Sequence, residues 1–167
     1  MSDDDRAPVT TPEWGELVAD AGGIAANYRD DGWDGVVLDP IEVTPVDDEE
    51  RFGLDVEVTE DEYDLVAKLV DREDVTFGGA EVYYRPSEGD DRRFALAVER
   101  DEATETAVFV PLTYALSESH GVFERALREA DLQIHVRPEA AEQWIVFSHE
   151  DPSLFLEESD VRKWGDG

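Results

Sequence analysis

Acidic side chains outnumber basic ones by forty-four to fourteen in this chain of 167 residues, so any compact fold must carry a formal net charge of −30. A globule of this size exposes roughly 8,000 Å². Unmatched charges on that area repel one another and oppose compaction. The Debye length is about 10–30 Å in dilute buffer and about 3 Å at 1 M salt, so concentrated salt removes most of the repulsion. The charge reads as an accommodation to molar salt. Only two of the cations are lysines, Lys68 and Lys163. Arginine fits the same reading, because guanidinium pairs carboxylates bidentately and is more weakly hydrated than ammonium.

The charge also excludes. Disorder is set aside by a hydrophobic content of 41%, with seven Phe, five Tyr and four Trp, which is too apolar for an unfolded chain. Direct nucleic-acid binding is disfavoured by phosphate repulsion. An acidic mimic of nucleic acid would gather its carboxylates in a stripe, whereas here they are spread through every segment; mimicry stands as a second alternative. The basic pairs Arg92-Arg93 and Arg125/Arg128 are read as ion-pair partners for neighbouring acids. With no cysteine, disulfides and thiolate metal sites are ruled out. No apolar run reaches bilayer length. The start Met1-Ser2-Asp3-Asp4-Asp5 lacks the basic and apolar parts of an export signal. A cytoplasmic protein without membrane association is expected.

Residues 1–10 are expected to be disordered, 11–157 to form one domain, and 158–167 to be a flexible tail. Thr11 and Pro12 open a helix as N-cap and first helical residue. Trp14, Leu17, Val18, Ala21, Ala25 and Tyr28 form its apolar stripe, and Gly32 ends it in the left-handed conformation. Gly22-Gly23 interrupts this helix at about 1 kcal/mol per glycine. Close approach of a neighbouring backbone is the favoured explanation, with a ligand second. Trp33 to Leu38 is a strand. Pro40 and Pro45 bracket a connecting segment that should not sit mid-sheet. Leu54, Val56 and Val58 alternate as a strand with one wet face. Thr59 and Glu62 then form a capping box, with Val58 and Tyr63 as a hydrophobic staple. Strands follow near 76–85, 93–99 and 105–112. The last of these is apolar on both faces and therefore central. A third helix runs from Ser117 to about Ala130, then strands at 132–137 and 143–149. The order α-β-β-α-β-β-β-α-β-β, with short links, predicts an α+β domain: a mainly antiparallel sheet of six or seven strands, helices mostly on one face.

Candidate sites are few. His135 and His149 lie on the last two strands, but their apolar neighbours place them on opposite sides of the sheet, so one metal ion cannot bind both. No metal and no cofactor is expected. Ser148-His149 cannot act as a nucleophile–base pair, since adjacent strand residues point apart, and no G-x-S-x-G elbow is present. The glycine pairs match no phosphate loop. Carboxylate pairs such as Asp55/Glu57 arise by chance in a chain this acidic. His135 and Arg137 remain as candidate catalytic groups. One of Tyr83 and Tyr84 should enter the core while the other offers a partner surface. Trp144 to Phe147 and Leu154-Phe155-Leu156 are the most apolar part near the C-terminus and are read as core packing in preference to an interface; Phe155 and Trp164 are further candidate contacts.

Several segments together resemble a family of short acidic proteins of halophilic archaea: Trp14 with Gly32-Trp33, Phe52-Gly53-Leu54-Asp55-Val56, Thr59-Glu60-Asp61-Glu62-Tyr63, His135-Val136-Arg137-Pro138 and Ser148 through Phe155. The likeness spans most of residues 11–157. It implies a salt-adapted single domain and brings no functional residue with it. The leading expectation is a non-enzymatic domain that acts through an unknown protein partner or self-association, in regulation or assembly. The alternative is a small enzyme with a polar site around His135 and Arg137.

Overall fold

The computed structural model describes residues 12–47, 52–72, 79–85, 92–139, 144–149 and 155. They form a single α+β domain with helices α1 (Pro12–Asp30), α2 (Glu60–Val70) and α3 (Leu116–Glu129). Its strands are β1 (Asp34–Val37), β2 (Glu42–Asp47), β3 (Phe52–Val58), β4 (Gly79–Arg85), β5 (Arg92–Asp101), β6 (Thr106–Ala115), β7 (Leu132–Pro138) and β8 (Ile145–His149).

The expected single antiparallel sheet is corrected to two mixed sheets of four strands, ordered β1-β6-β5-β4 and β2-β3-β7-β8. Neighbours in sequence pair antiparallel, as short links require: β2 with β3, β4 with β5, β5 with β6 and β7 with β8. The parallel pairs, β1 with β6 and β3 with β7, join strands far apart in the chain. The segment around Pro45 is a strand after all. β2 lies at the edge of its sheet, where a residue with no N–H to donate is tolerated.

Two apolar layers explain the split. Leu54, Val56 and Val58 of β3, Ile134 and Val136 of β7, and Phe147 of β8 face Ala95, Ala97, Val108, Val110 and Leu112 of the other sheet in the main core. Helices α2 and α3 add Tyr63, Val66, Val122, Phe123 and Ala126 to this layer. On the far side of β5 and β6, Phe94, Leu96, Val98, Ala107 and Phe109 pack against Trp14, Leu17, Ala21 and Ala25 of α1. Helices α2 and α3 thus lie on the main-core side of the β1-β6-β5-β4 sheet and α1 alone on its far side. As expected, β6 is interior to its sheet.

Local signals held where they were strongest. Gly32 sits at φ +94° after α1. Thr59 caps α2, its hydroxyl accepting the Glu62 N–H at 3.3 Å. The reciprocal arm of the capping box is redirected: the Glu62 carboxylate accepts the Asp39 N–H at 3.1 Å, tying α2 to the segment after β1. The N-cap expected at Thr11 lies outside the described residues.

Candidate functional site

Among the described residues, three places gather polar or aromatic side chains. The first is a groove beside α1. The helix lies over β1, β6 and β5, while β4 ends the sheet. Between helix and terminal strand opens a space of about 620 Å³. From α1 it is lined by Leu17, Asp20, Gly23, Ile24 and Asn27, and from the sheet by Tyr83, Tyr84 and Leu96. Register fixes the two tyrosines. Tyr83 pairs with Leu96 on the helix side, and Tyr84 pairs with Ala95 on the main-core side. Tyr83 is 42% exposed, while Tyr84 packs against the core.

A Cβ built on Gly22 or Gly23 would meet nothing within 4 Å. Backbone crowding, the favoured reason for the pair, is therefore wrong. Of the two, Gly23 lines the groove.

At one end of the groove the Tyr83 hydroxyl donates to Glu81 at 2.9 Å, and Glu81 also holds Arg100. The Arg100 guanidinium lies over the rings of Tyr28 and Trp33, 5.7 and 5.2 Å from their centroids. Burial, then the hydrogen bond and charge of Glu81, push the Tyr83 phenol up to about 12. It stays a neutral donor at any physiological pH.

The second place is the outer face of the β2-β3-β7-β8 sheet. There His135 pairs in register with Asp55, and Arg137 with Glu57. Arg137 donates to Asp55 at 2.5 Å and to Glu57 at 3.1 Å. The Asp55/Glu57 pair, read from sequence as chance, is thus clamped by one guanidinium. His135 is fully buried, with Trp144 edge-on to its ring at 6.4 Å. An enclosed imidazole beside a guanidinium already engaged by two carboxylates has the form of a structural cluster.

The third place lies inside the main core and went unread in the sequence. His149, on the opposite side of its sheet from His135 as alternation requires, reaches across to the other sheet. Its Nε2 is 2.6 Å from the Glu99 carboxylate, and its Nδ1 is 3.0 Å from the Leu132 carbonyl. Both side chains are buried. Burial, the largest influence, lowers the imidazole pKa; the bond and charge of Glu99, with Leu132 and Asp131, outweigh it and leave His149 above its ordinary value. The signal was the run Ala95, Ala97, Glu99, which marks a second buried face of β5 behind Phe94, Leu96 and Val98.

The other candidates are placed as follows. Phe155 is fully buried, edge-on to His149 at 5.3 Å, and its carbonyl accepts the Tyr114 hydroxyl. It is part of the main core. Trp164 lies outside the described residues. His120 is on α3, 3.4 Å from Glu124. Arg125 pairs with Glu129 and Asp47, as read for that residue, and stacks on Phe52 at 4.1 Å. Among the described residues no group of three or more His, Asp or Glu is arranged to hold a metal ion. Nor is any helix among them long and apolar enough to cross a membrane.

Fold and geometry together define an α+β domain of two facing mixed sheets, flanked by a helix that leaves an aromatic groove at the sheet edge. The chain belongs to a family of unknown function, DUF7529, whose model matches residues 3–157. No curated protein and no solved structure matches it.

Proposed function

We propose that this chain is a non-enzymatic interaction or regulatory domain of the cytoplasm, adapted to concentrated salt, and that it meets its partner through the groove between α1 and β4. The observation that carries this reading is the groove itself. It is a half-open groove lined by apolar and polar surface in comparable parts, and it is of the size range of recognition sites, about 300–1,000 Å³. Tyr83, an amphipathic ring with little conformational freedom to lose, suits a contact surface. The enclosure of His135 and the commitment of Arg137 to Asp55 and Glu57 weigh against a reaction centre on the outer face.

The salt adaptation rests on the charge. Exposed acids lie on α1 (Asp20, Asp30), α2 (Glu60, Asp61, Asp64) and α3 (Glu118, Glu129), elements on opposite sides of the β1-β6-β5-β4 sheet. That dispersal favours a solvent role over nucleic-acid mimicry.

The test is capture at molar KCl with matched baits. Wild type should retain a partner, or self-associate, and Gly23→Leu should not, because the leucine fills the groove. Equal recovery by both baits would remove the groove from the proposal, and recovery by neither would end the interaction reading.

A further inference from the structure

We infer that the contact between His149 and Glu99 is a proton-dependent latch between the two sheets: it is closed while the pair holds a shared proton, and loss of that proton frees β8 and Phe155 from the main core while the rest of the domain stays folded. The device is separate from the groove beside α1.

The hydrogens follow from the oxygens that face the ring. Nδ1 lies 3.0 Å from the Leu132 carbonyl, which can only accept, so Nδ1 carries a hydrogen. Nε2 lies 2.6 Å from a carboxylate oxygen of Glu99, which places a proton between the two atoms, on the ring or on the carboxyl. The pair titrates as one unit. Once that proton leaves for solvent, a single ring hydrogen must serve two acceptors. Whichever nitrogen keeps it, the other sets a lone pair against the Glu99 carboxylate or the Leu132 carbonyl. The two side chains are only 3% and 4% exposed, so water and salt screen that repulsion poorly.

The surroundings hold the proton in place. Burial, the largest influence, favours the neutral ring; the bond and charge of Glu99, the Leu132 bond and the charge of Asp131 outweigh it. Among the described residues, Asp101 is the next side chain on the Glu99 face of β5, where it accepts from the Ala103 N–H and the Thr104 hydroxyl. Arg93 lies on that face near the start of the strand. From β6, Val108 pairs with Glu99. From α3 the layer receives Val122, Phe123 and Ala126, while His120 and Glu124 pair with each other at the surface.

What the latch holds is a short terminal element. β8 has five residues, ends at His149 and closes its sheet, with β7 as its neighbour. Phe155 stands edge-on to the same imidazole at 5.3 Å, and its carbonyl accepts the Tyr114 hydroxyl of β6. Such end strands open locally at lower cost than the domain unfolds. Opening here uncovers Phe147 and Phe155, both in the main core.

The experiment is a pH series on the isotope-labelled full chain at molar KCl, from about pH 5 to about pH 10, followed by the ring nitrogens of His149 and by methyl signals. His149 should titrate in one step with a midpoint above 6.5. The methyls of Ile145 and Val146 should shift at the same midpoint, while those of Leu17 in α1 and Val66 in α2 hold their positions. Glu99→Gln, which keeps the shape and removes the charge, should lower the midpoint by about one pH unit or more, about tenfold in proton affinity. His149→Gln should remove the step from the β8 methyls. Should either variant fail to fold, the wild-type series decides alone.

A step at His149 with the β8 methyls unmoved would overturn the latch, as would a ring that does not titrate in this range. Movement of Leu17 and Val66 at the same midpoint would replace local release with global unfolding. An unchanged midpoint in Glu99→Gln would overturn the shared proton.

Discussion

Single residues carry two of the sharpest consequences. Gly53 is the second residue of β3, at φ +139°, and a Cβ there would lie 1.9 Å from the Gln133 carbonyl oxygen of β7. Both the backbone angle and the space forbid a side chain. Gly53→Ala should destabilise by about 3 kcal/mol or more, read as a fall in the denaturation midpoint at fixed molar KCl; an unchanged midpoint would contradict the tight β3–β7 approach. His149 is the other. Its folded pKa lies above the ordinary 6.5, so the folded state binds the proton more tightly than the unfolded chain. That stabilisation is complete below 6.5 and is lost as pH rises through the folded value. The melting temperature should therefore decline on the alkaline side of 6.5, and His149→Gln should flatten the decline. Glu99→Ala, which strands a buried imidazole, should cost about 3–5 kcal/mol. A wild-type melting temperature that climbs over the same range would show that the pair does not stabilise the fold in this way.

At the scale of elements, the hydroxyl of Thr59 satisfies one of the free N–H groups at the start of α2. Thr59→Ala should lower stability by about 1 kcal/mol, and Thr59→Ser should restore most of it; equal midpoints for alanine and wild type would deny the cap any weight. The capping motif and the central position of β6 were legible because each depends on a few consecutive residues. β2 was not, since Pro45 looks like a strand breaker until its place at a sheet edge is known. The division into two sheets was hidden for a related reason. Alternation in β5 singles out Phe94, Leu96 and Val98, but the alanines between them are equally buried, against the opposite layer. Of the site, Tyr83 and the glycine pair stood out in sequence. Their meeting across sixty positions did not, because it depends on α1 lying over β5 and β6 and stopping short of the sheet edge. Glu99 and His149 were hidden similarly: each looked like the polar end of its own strand.

For the whole molecule the governing quantity is the charge of −30. Pairs such as Arg125 with Asp47 and Glu129, and Arg137 with Asp55 and Glu57, neutralise a few acids locally, and the excess remains. Between dilute buffer and molar KCl the melting temperature should climb by about 10 °C or more, roughly 3–5 kcal/mol for a domain of this size. Calorimetry across the salt series checks this, and a flat response would contradict the electrostatic argument.

The pairing of β1 with β6 and of β3 with β7 has a consequence for biosynthesis. A ribosome delivers Asp34–Val37 some seventy residues ahead of the strand that will hold it, and Phe52–Val58 waits until residue 138 has emerged. Neither layer can close on a partial nascent chain, and such long-range closures are slow. The half-made polypeptide must stay dispersed meanwhile, and its many hydrated carboxylates, which favour solubility even where salt screens their repulsion, serve that end.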